Sequence, residues 1–152
     1  MMAQRIVFLD FDGVVHPAGQ QVPMHWAQVQ IGHNFFLPEQ VARVNRLCEQ
    51  SGAKIVVTST WRLEFSLRAF QPIFGNQIID ATPLVRRIPA GIPMRWLEVE
   101  MYLRDREDIG QYVIIDDQAG LFPPKLPQLV ITDPASGFLE KNLELALAIL
   151  RG

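Results

Sequence analysis

Residues 5–15 read Arg5-Ile6-Val7-Phe8-Leu9-Asp10-Phe11-Asp12-Gly13-Val14-Val15. Four apolar residues run straight into an acid, a second acid follows two positions later, and a glycine comes next. The run Ile6–Leu9 is rich in β-branched and aromatic side chains and does not alternate. That is the pattern of a strand buried on both faces, as in a parallel sheet. Asp10 is then expected where the strand leaves the sheet, Asp12 just beyond it, and Gly13 where the chain turns sharply. Two carboxylates at the open end of a buried strand repel one another unless a cation joins them. Oxygen donors of this kind suit a hard metal, Mg²⁺. The plainer reading is an acidic turn after a core strand.

Four further apolar runs repeat the theme. Lys54-Ile55-Val56-Val57 leads into Thr58-Ser59-Thr60, and a weaker strand Ile78-Ile79 ends in Asp80. Val113-Ile114-Ile115 ends in Asp116-Asp117, and Leu129-Val130-Ile131 in Thr132-Asp133. Between them lie helical patterns. Pro38 opens a helix with Val41, Val44, Leu47 and Cys48 at helical spacing and Gly52 beyond its end. Trp61-Arg62 begins a short helix reaching about Ala69. A helix from about Met94 to Arg106 carries Trp96, Val99 and Leu103 on one face, and Leu139, Leu143, Leu147 and Leu150 mark a terminal amphipathic helix. Val14 to Phe36 has no long helical period and reads as a flap over the strand ends. Strands alternating with helices imply right-handed crossovers and an α/β fold: a three-layer, Rossmann-like, five-stranded parallel sheet with helices on both faces. All strand ends then share one rim, where sites of such sheets form. Asp10, Asp12, Thr58, Ser59, Asp80, Asp116, Asp117 and Asp133 are candidates for that rim.

Size and charge narrow the function. At 152 residues the chain suits one domain, 1–152, with no room for a large cap besides the flap at about 14–36. A net charge of -2 makes no general electrostatic case for nucleic acid or an anionic membrane. The one cysteine, Cys48, excludes an internal disulfide or a cysteine-based zinc cluster. No targeting segment or membrane span is visible, so a soluble cytoplasmic protein is expected, of unspecified oligomeric state.

Several residues carry two readings. Arg95, in the first turn of its helix, either supplies the rim with a cation or is a solvated arginine paired with Glu98. Arg62 is either a phosphate contact or half of a structural ion pair. His16, His25 and His33 are too irregularly spaced to favour a metal site. Trp26, Phe35 and Phe36 read as flap packing, and Trp61 as a core or rim anchor.

These residues resemble the haloacid dehalogenase (HAD) superfamily, whose members are mostly phosphotransferases. Asp10-Phe11-Asp12-Gly13-Val14 looks like its first motif, Ile55-Val56-Val57-Thr58 its second, Arg95 its third and Ile114-Ile115-Asp116-Asp117 its fourth. More narrowly, Gly52 to Arg62, Arg95 to Leu103, Tyr112 to Asp117 and Asp133 to Gly137 resemble a small capless branch. That branch includes the phosphatase-like domains of predicted RNA-repair proteins. The third motif is usually a lysine, and the lysines here are Lys54, Lys125 and Lys141. If Arg95 does not fill the role, Arg86, Arg87 or Lys125 is the candidate.

The resemblance implies a Mg²⁺-dependent phosphomonoesterase. Asp10 would be the nucleophile, forming an aspartyl-phosphate, and Asp12 the acid and then the base. Thr58 would hold a phosphoryl oxygen, with Ser59 and Arg62 also binding substrate, and Arg95 would offset charge. The metal would lie on Asp10, the backbone carbonyl of Asp12, and Asp116 or Asp117. Relatives that attack carbon lack an acid at the position of Asp12. The implied partner is a phosphorylated small molecule or nucleic-acid end. A catalytically weak phosphate-binding or partner-binding module on the same scaffold is the alternative. Response-regulator receivers also set acids and a hydroxyl on a parallel sheet, but place the lysine after the last strand, which this chain does not.

Overall fold

The computed structural model describes residues 3–19, 35–85 and 90–152. Most of the expected flap, with His25, His33 and Trp26, therefore lies outside the described residues, as do Arg86 and Arg87. Five strands form one parallel sheet in the order β3-β2-β1-β4-β5. They are β1 (Gln4–Leu9), β2 (Lys54–Val57), β3 (Ile78–Ala81), β4 (Ile109–Asp116) and β5 (Leu129–Ile131). The helices are α1 (Pro38–Ser51), the single turn α2 (Gln71–Phe74), α3 (Met94–Arg104) and α4 (Glu140–Arg151). No described helix is long and apolar enough to cross a membrane.

The unbroken apolar run of β1 is explained by its place. It is the central strand, pairing Val7 with Ile55 on one side and with Val113 on the other. Ile6 to Leu9 are wholly buried, and alternate residues serve opposite layers. Val7 and Leu9 join Ile55, Val57, Val113, Ile115 and Val130 beneath α1, α2 and α4. Ile6 and Phe8 join Val56 and Ile114 against Val99 and Tyr102 of α3. The strand order runs one way through β1, β2 and β3 and then reverses to β4 and β5. The reversal falls between β1 and β4, and sites of such sheets form outside the carboxyl ends at that point.

Three sequence expectations change. The segment after β2 is not one helix to Ala69 but two 3-10 turns, Thr60–Leu63 and Leu67–Phe70, leading into α2. Extended Ser66 separates the turns, at φ −72° and ψ 160°. The helix expected to reach Arg106 ends at Arg104, with Asp105 at its cap. The third strand does not stop before Asp80 but continues to Ala81. A register shift pairs Ile55 with Ile78 but Val56 with Asp80, leaving Ile79 as the extra residue. Such a bulge reverses which face each later side chain takes. Asp80 therefore turns to α3, where Tyr102 donates to its Oδ2 at 3.0 Å, and it leaves the rim set.

Candidate active site

Backbone hydrogen bonds knit the residues just beyond each strand into a row. Thr82 N donates to Val57 O, Thr58 N to Leu9 O, Asp10 N to Ile115 O and Thr132 N to Asp116 O. Reading across the rim gives Thr82, Thr58, Asp10, Asp116 and Thr132. The two acids fall at the switch point.

After Asp10 the chain turns tightly. Phe11 O accepts from Val14, Val15 and His16 N, and Gly13 N donates to His16 O at 2.8 Å. Phe11 points into the core, edge-on to Phe36, Trp61 and Phe70 and stacked on Phe74. This anchor fixes the spacing of the acids on either side of it. Gly13, at φ +76°, has no space for a side chain, because a Cβ there would meet Asp117 Oδ2 at 2.3 Å. A loop from β5 supports the turn. Thr132 Oγ1 donates to Gly13 O at 2.8 Å and Phe138 N to Val14 O at 2.9 Å.

Asp10, Asp116 and Asp117 each offer a carboxylate oxygen within 4.8 Å of the others. Arg95 resolves its two readings by position, being buried rather than solvated. Its Nη1 lies 2.8 Å from Asp116 Oδ2 and 3.3 Å from Asp10 Oδ2. Like charges at about 5 Å repel by on the order of 3 kcal/mol at an effective dielectric constant near 20. One guanidinium cannot cancel three such acids. Burial pushes the Asp10 carboxyl well above the ordinary carboxylate value, Asp116 adds to this and Arg95 pulls it partly back. Asp117 is likewise raised by burial and by Asp116. Burial weakens the hold of Arg95 on its proton, but Asp10 and Asp116 outweigh that and raise it.

The donor set fits a hard divalent cation. It is all oxygen, it carries excess negative charge, and buried Asp117 Oδ1 has no hydrogen-bond partner among the described residues. Both oxygens of Asp116 are engaged, Oδ2 by Arg95 and Oδ1 by Gln118 N. Asp117 is thus the freer of the adjacent pair.

Asp12 stands apart from this cluster, its side chain 47% exposed. Trp61 Nε1 donates to its Oδ1 at 3.3 Å, and His16 Nε2 lies 4.0 Å from the same oxygen. His16 itself is buried, with Nδ1 against Phe35 O. Thr58 is fully buried and its hydroxyl has no partner among the described residues. A buried unsatisfied hydroxyl costs about 1–3 kcal/mol, so a ligand oxygen there would recover free energy.

The remaining rim candidates have the following surroundings. Ser59 Oγ accepts from Trp61 N and caps the first 3-10 turn. Arg62 is buried against Glu98 at 2.7 Å, the ion-pair alternative of its two readings. Asp133 is exposed and accepts from Ala135 N within its own turn. Lys125 lies in an exposed loop at φ +59°. The sequence reading missed the partners of Asp12, the Thr132 support and the reach of Glu98. Only Thr132 left a trace, as one more hydroxyl directly after a strand.

A family described as HAD domain in Swiss Army Knife RNA repair proteins matches residues 6–143. No curated protein and no solved structure matches the chain.

Proposed function

The chain belongs to the family of HAD domains in Swiss Army Knife RNA repair proteins, a phosphatase-type hydrolase scaffold, and from that premise we propose that it is a Mg²⁺-dependent phosphomonoesterase. The observation that carries the reading is the buried Asp10 carboxylate, held by Arg95 beside Asp116 and Asp117, with a second acid on the solvent side. Asp10, Asp117 and Asp116 would hold the cation, with the backbone carbonyl of Asp12. When bound, the cation would neutralise charge on the phosphoryl oxygens and on the acids.

The protein's own groups would do the rest. Asp10 attacks phosphorus in line while the bond to the leaving oxygen breaks. Protonated Asp12 gives that oxygen its proton, so an alcohol departs and an aspartyl-phosphate remains. Asp12, now a carboxylate, takes a proton from water, whose oxygen attacks phosphorus and restores Asp10. Trp61 Nε1 orients Asp12 for both steps. Thr58 Oγ1 would donate to a phosphoryl oxygen, and Arg95 would offset the charge of Asp10 and the phosphate.

The family description supports nucleic-acid termini or nucleotides as substrates. The test is phosphate release from p-nitrophenyl phosphate, with and without Mg²⁺. It is followed by kcat/KM for a 5′- or 3′-phosphorylated oligonucleotide, the matching mononucleotide and sugar phosphates. Activity is expected to need Mg²⁺ and to vanish in Asp10→Asn. Near-normal turnover by folded Asp10→Asn would refute the mechanism. A preference of more than about a hundredfold for one sugar phosphate, roughly 3 kcal/mol in transition-state binding, would refute the substrate class.

A further inference from the structure

We propose that Arg62 and Glu98 are a positioning pair that sets the distance between Thr58 and Arg95 across the phosphate subsite; this rests on the phosphatase reading above. A guanidinium has five N–H donors, and Arg62 uses all of them. Nε donates to Thr82 O at 2.9 Å, and Nη1 to Thr58 O at 2.7 Å and Ser59 O at 2.9 Å. Nη2 donates to Pro83 O at 3.4 Å and to Glu98 Oε2 at 2.7 Å. An incoming phosphate would have to displace bonds already made. The side chain therefore serves the loops after β2 and β3, not the substrate.

Its partner carries the restraint to α3. Glu98 lies on α3 one turn after Arg95, on the same buried face, and also accepts from Val85 N at 3.3 Å. A helix turn is stiff, so a shift of Glu98 carries Arg95 with it. Arg62 meanwhile grips the carbonyl of Thr58, whose buried hydroxyl is unpaired among the described residues. The group proposed to bind a phosphoryl oxygen and the group proposed to offset its charge are thus joined through one ion pair.

Charge supports the same role. Burial weakens the hold of Arg62 on its proton, Glu98 offsets this only in part and Arg95 weakens it further, so the two guanidiniums repel. Glu98 attracts both arginines. Without the Glu98 charge that repulsion is uncompensated, and Arg95 loses one of the charges that hold it beside Asp10 and Asp116. A buried pair that served stability alone would be replaceable by apolar side chains of similar volume. This one is expected not to be replaceable without loss of turnover.

The test uses Glu98→Gln, which keeps an acceptor for Arg62 and Val85, and the double variant Arg62→Met with Glu98→Met. The readouts are Tm, the Mg²⁺ half-saturation, and kcat and KM on p-nitrophenyl phosphate. We expect kcat at saturating Mg²⁺ to fall at least tenfold in both folded variants while the requirement for Mg²⁺ persists, because the three metal-facing acids are untouched. Turnover within twofold of wild type in either folded variant overturns the proposal. Failure of both to fold overturns it too, since the pair would then serve the fold. If the wild-type chain shows no turnover, the phosphatase reading fails, and the pair is judged by orthovanadate binding in Mg²⁺. A tenfold weaker Kd in Glu98→Gln then supports it, whereas an equal Kd, or no binding by wild type, overturns it.

Discussion

A methyl group added at Gly13 would lie 2.3 Å from Asp117 Oδ2, on a backbone already at φ +76°. The left-handed conformation alone costs a non-glycine residue about 1–2 kcal/mol. Gly13→Ala is therefore expected to lower Tm and to push Asp117 aside. Thermal denaturation with and without Mg²⁺ checks both effects, and an unchanged Mg²⁺ response would count against the close packing. Lys125 is the converse case, a side chain held at φ +59°, so Lys125→Gly should stabilise the fold by up to about 1 kcal/mol in urea titration. Arg95 shares Asp10 and Asp116 with the proposed cation. Arg95→Met should lower the Tm of the metal-free protein yet enlarge the rise in Tm on adding Mg²⁺, because the acids lose their internal counter-charge. A smaller rise would mean that Arg95 does not compete for those acids. Much at this scale was legible in advance. Asp10, Asp12, Thr58, Asp116 and Asp117 follow apolar runs and need only the topology to place them on one rim. For Arg62 the ion pair was one of two readings, and its partners could not be named because they are carbonyls and a carboxylate from three separate segments.

Elements deliver these residues, and the delivery depends on anchors outside the sheet. Phe11 is wholly buried, packed among four aromatic rings. Phe11→Ala should cost about 3–5 kcal/mol, whereas Phe11→Leu should keep most of the packing. Because the residue sits between the two acids, kcat should fall in Phe11→Leu even where urea unfolding shows a stable fold. An unchanged kcat would mean that the backbone hydrogen bonds to Phe11 O hold the turn unaided. The strands were legible wherever apolar residues ran uninterrupted, and β1, β2, β4 and β5 were found on that signal. The end of β3 was not, because an edge strand tolerates a polar residue and nothing in Ile78-Ile79-Asp80 announces a bulge. The 3-10 turns after β2 were read as one helix reaching about Ala69, because the extended Ser66 that divides them leaves no mark in the sequence.

For the molecule as a whole, Cys48 offers a reporter. Burial pushes its thiol from an ordinary 9.0 up to about 12. A group raised in the folded state favours folding fully below its unfolded value and loses that contribution as pH climbs through the folded value. Cys48 should therefore reduce stability between about pH 9 and pH 12, and Cys48→Ala should flatten that part of the curve of Tm against pH. At pH 8 the native thiol should react slowly with Ellman's reagent, at a rate that rises with urea. Rapid labelling without urea would mean that α1 opens readily against the sheet. The position of β1 also bears on how the protein comes into being. The centre of the sheet leaves the ribosome first, but Val7 must wait for Val113 before its second edge is paired. At 5–20 residues per second, that wait is roughly 5–20 s. During it the central strand of the sheet has an open edge, which is a hazard for association with other nascent chains. The proposed nucleophile is made early, yet the centre that could use it assembles only when the last third of the chain arrives. A ribosome-bound intermediate ending before β4 should need a chaperone to stay soluble, and it should be inert toward phosphate esters.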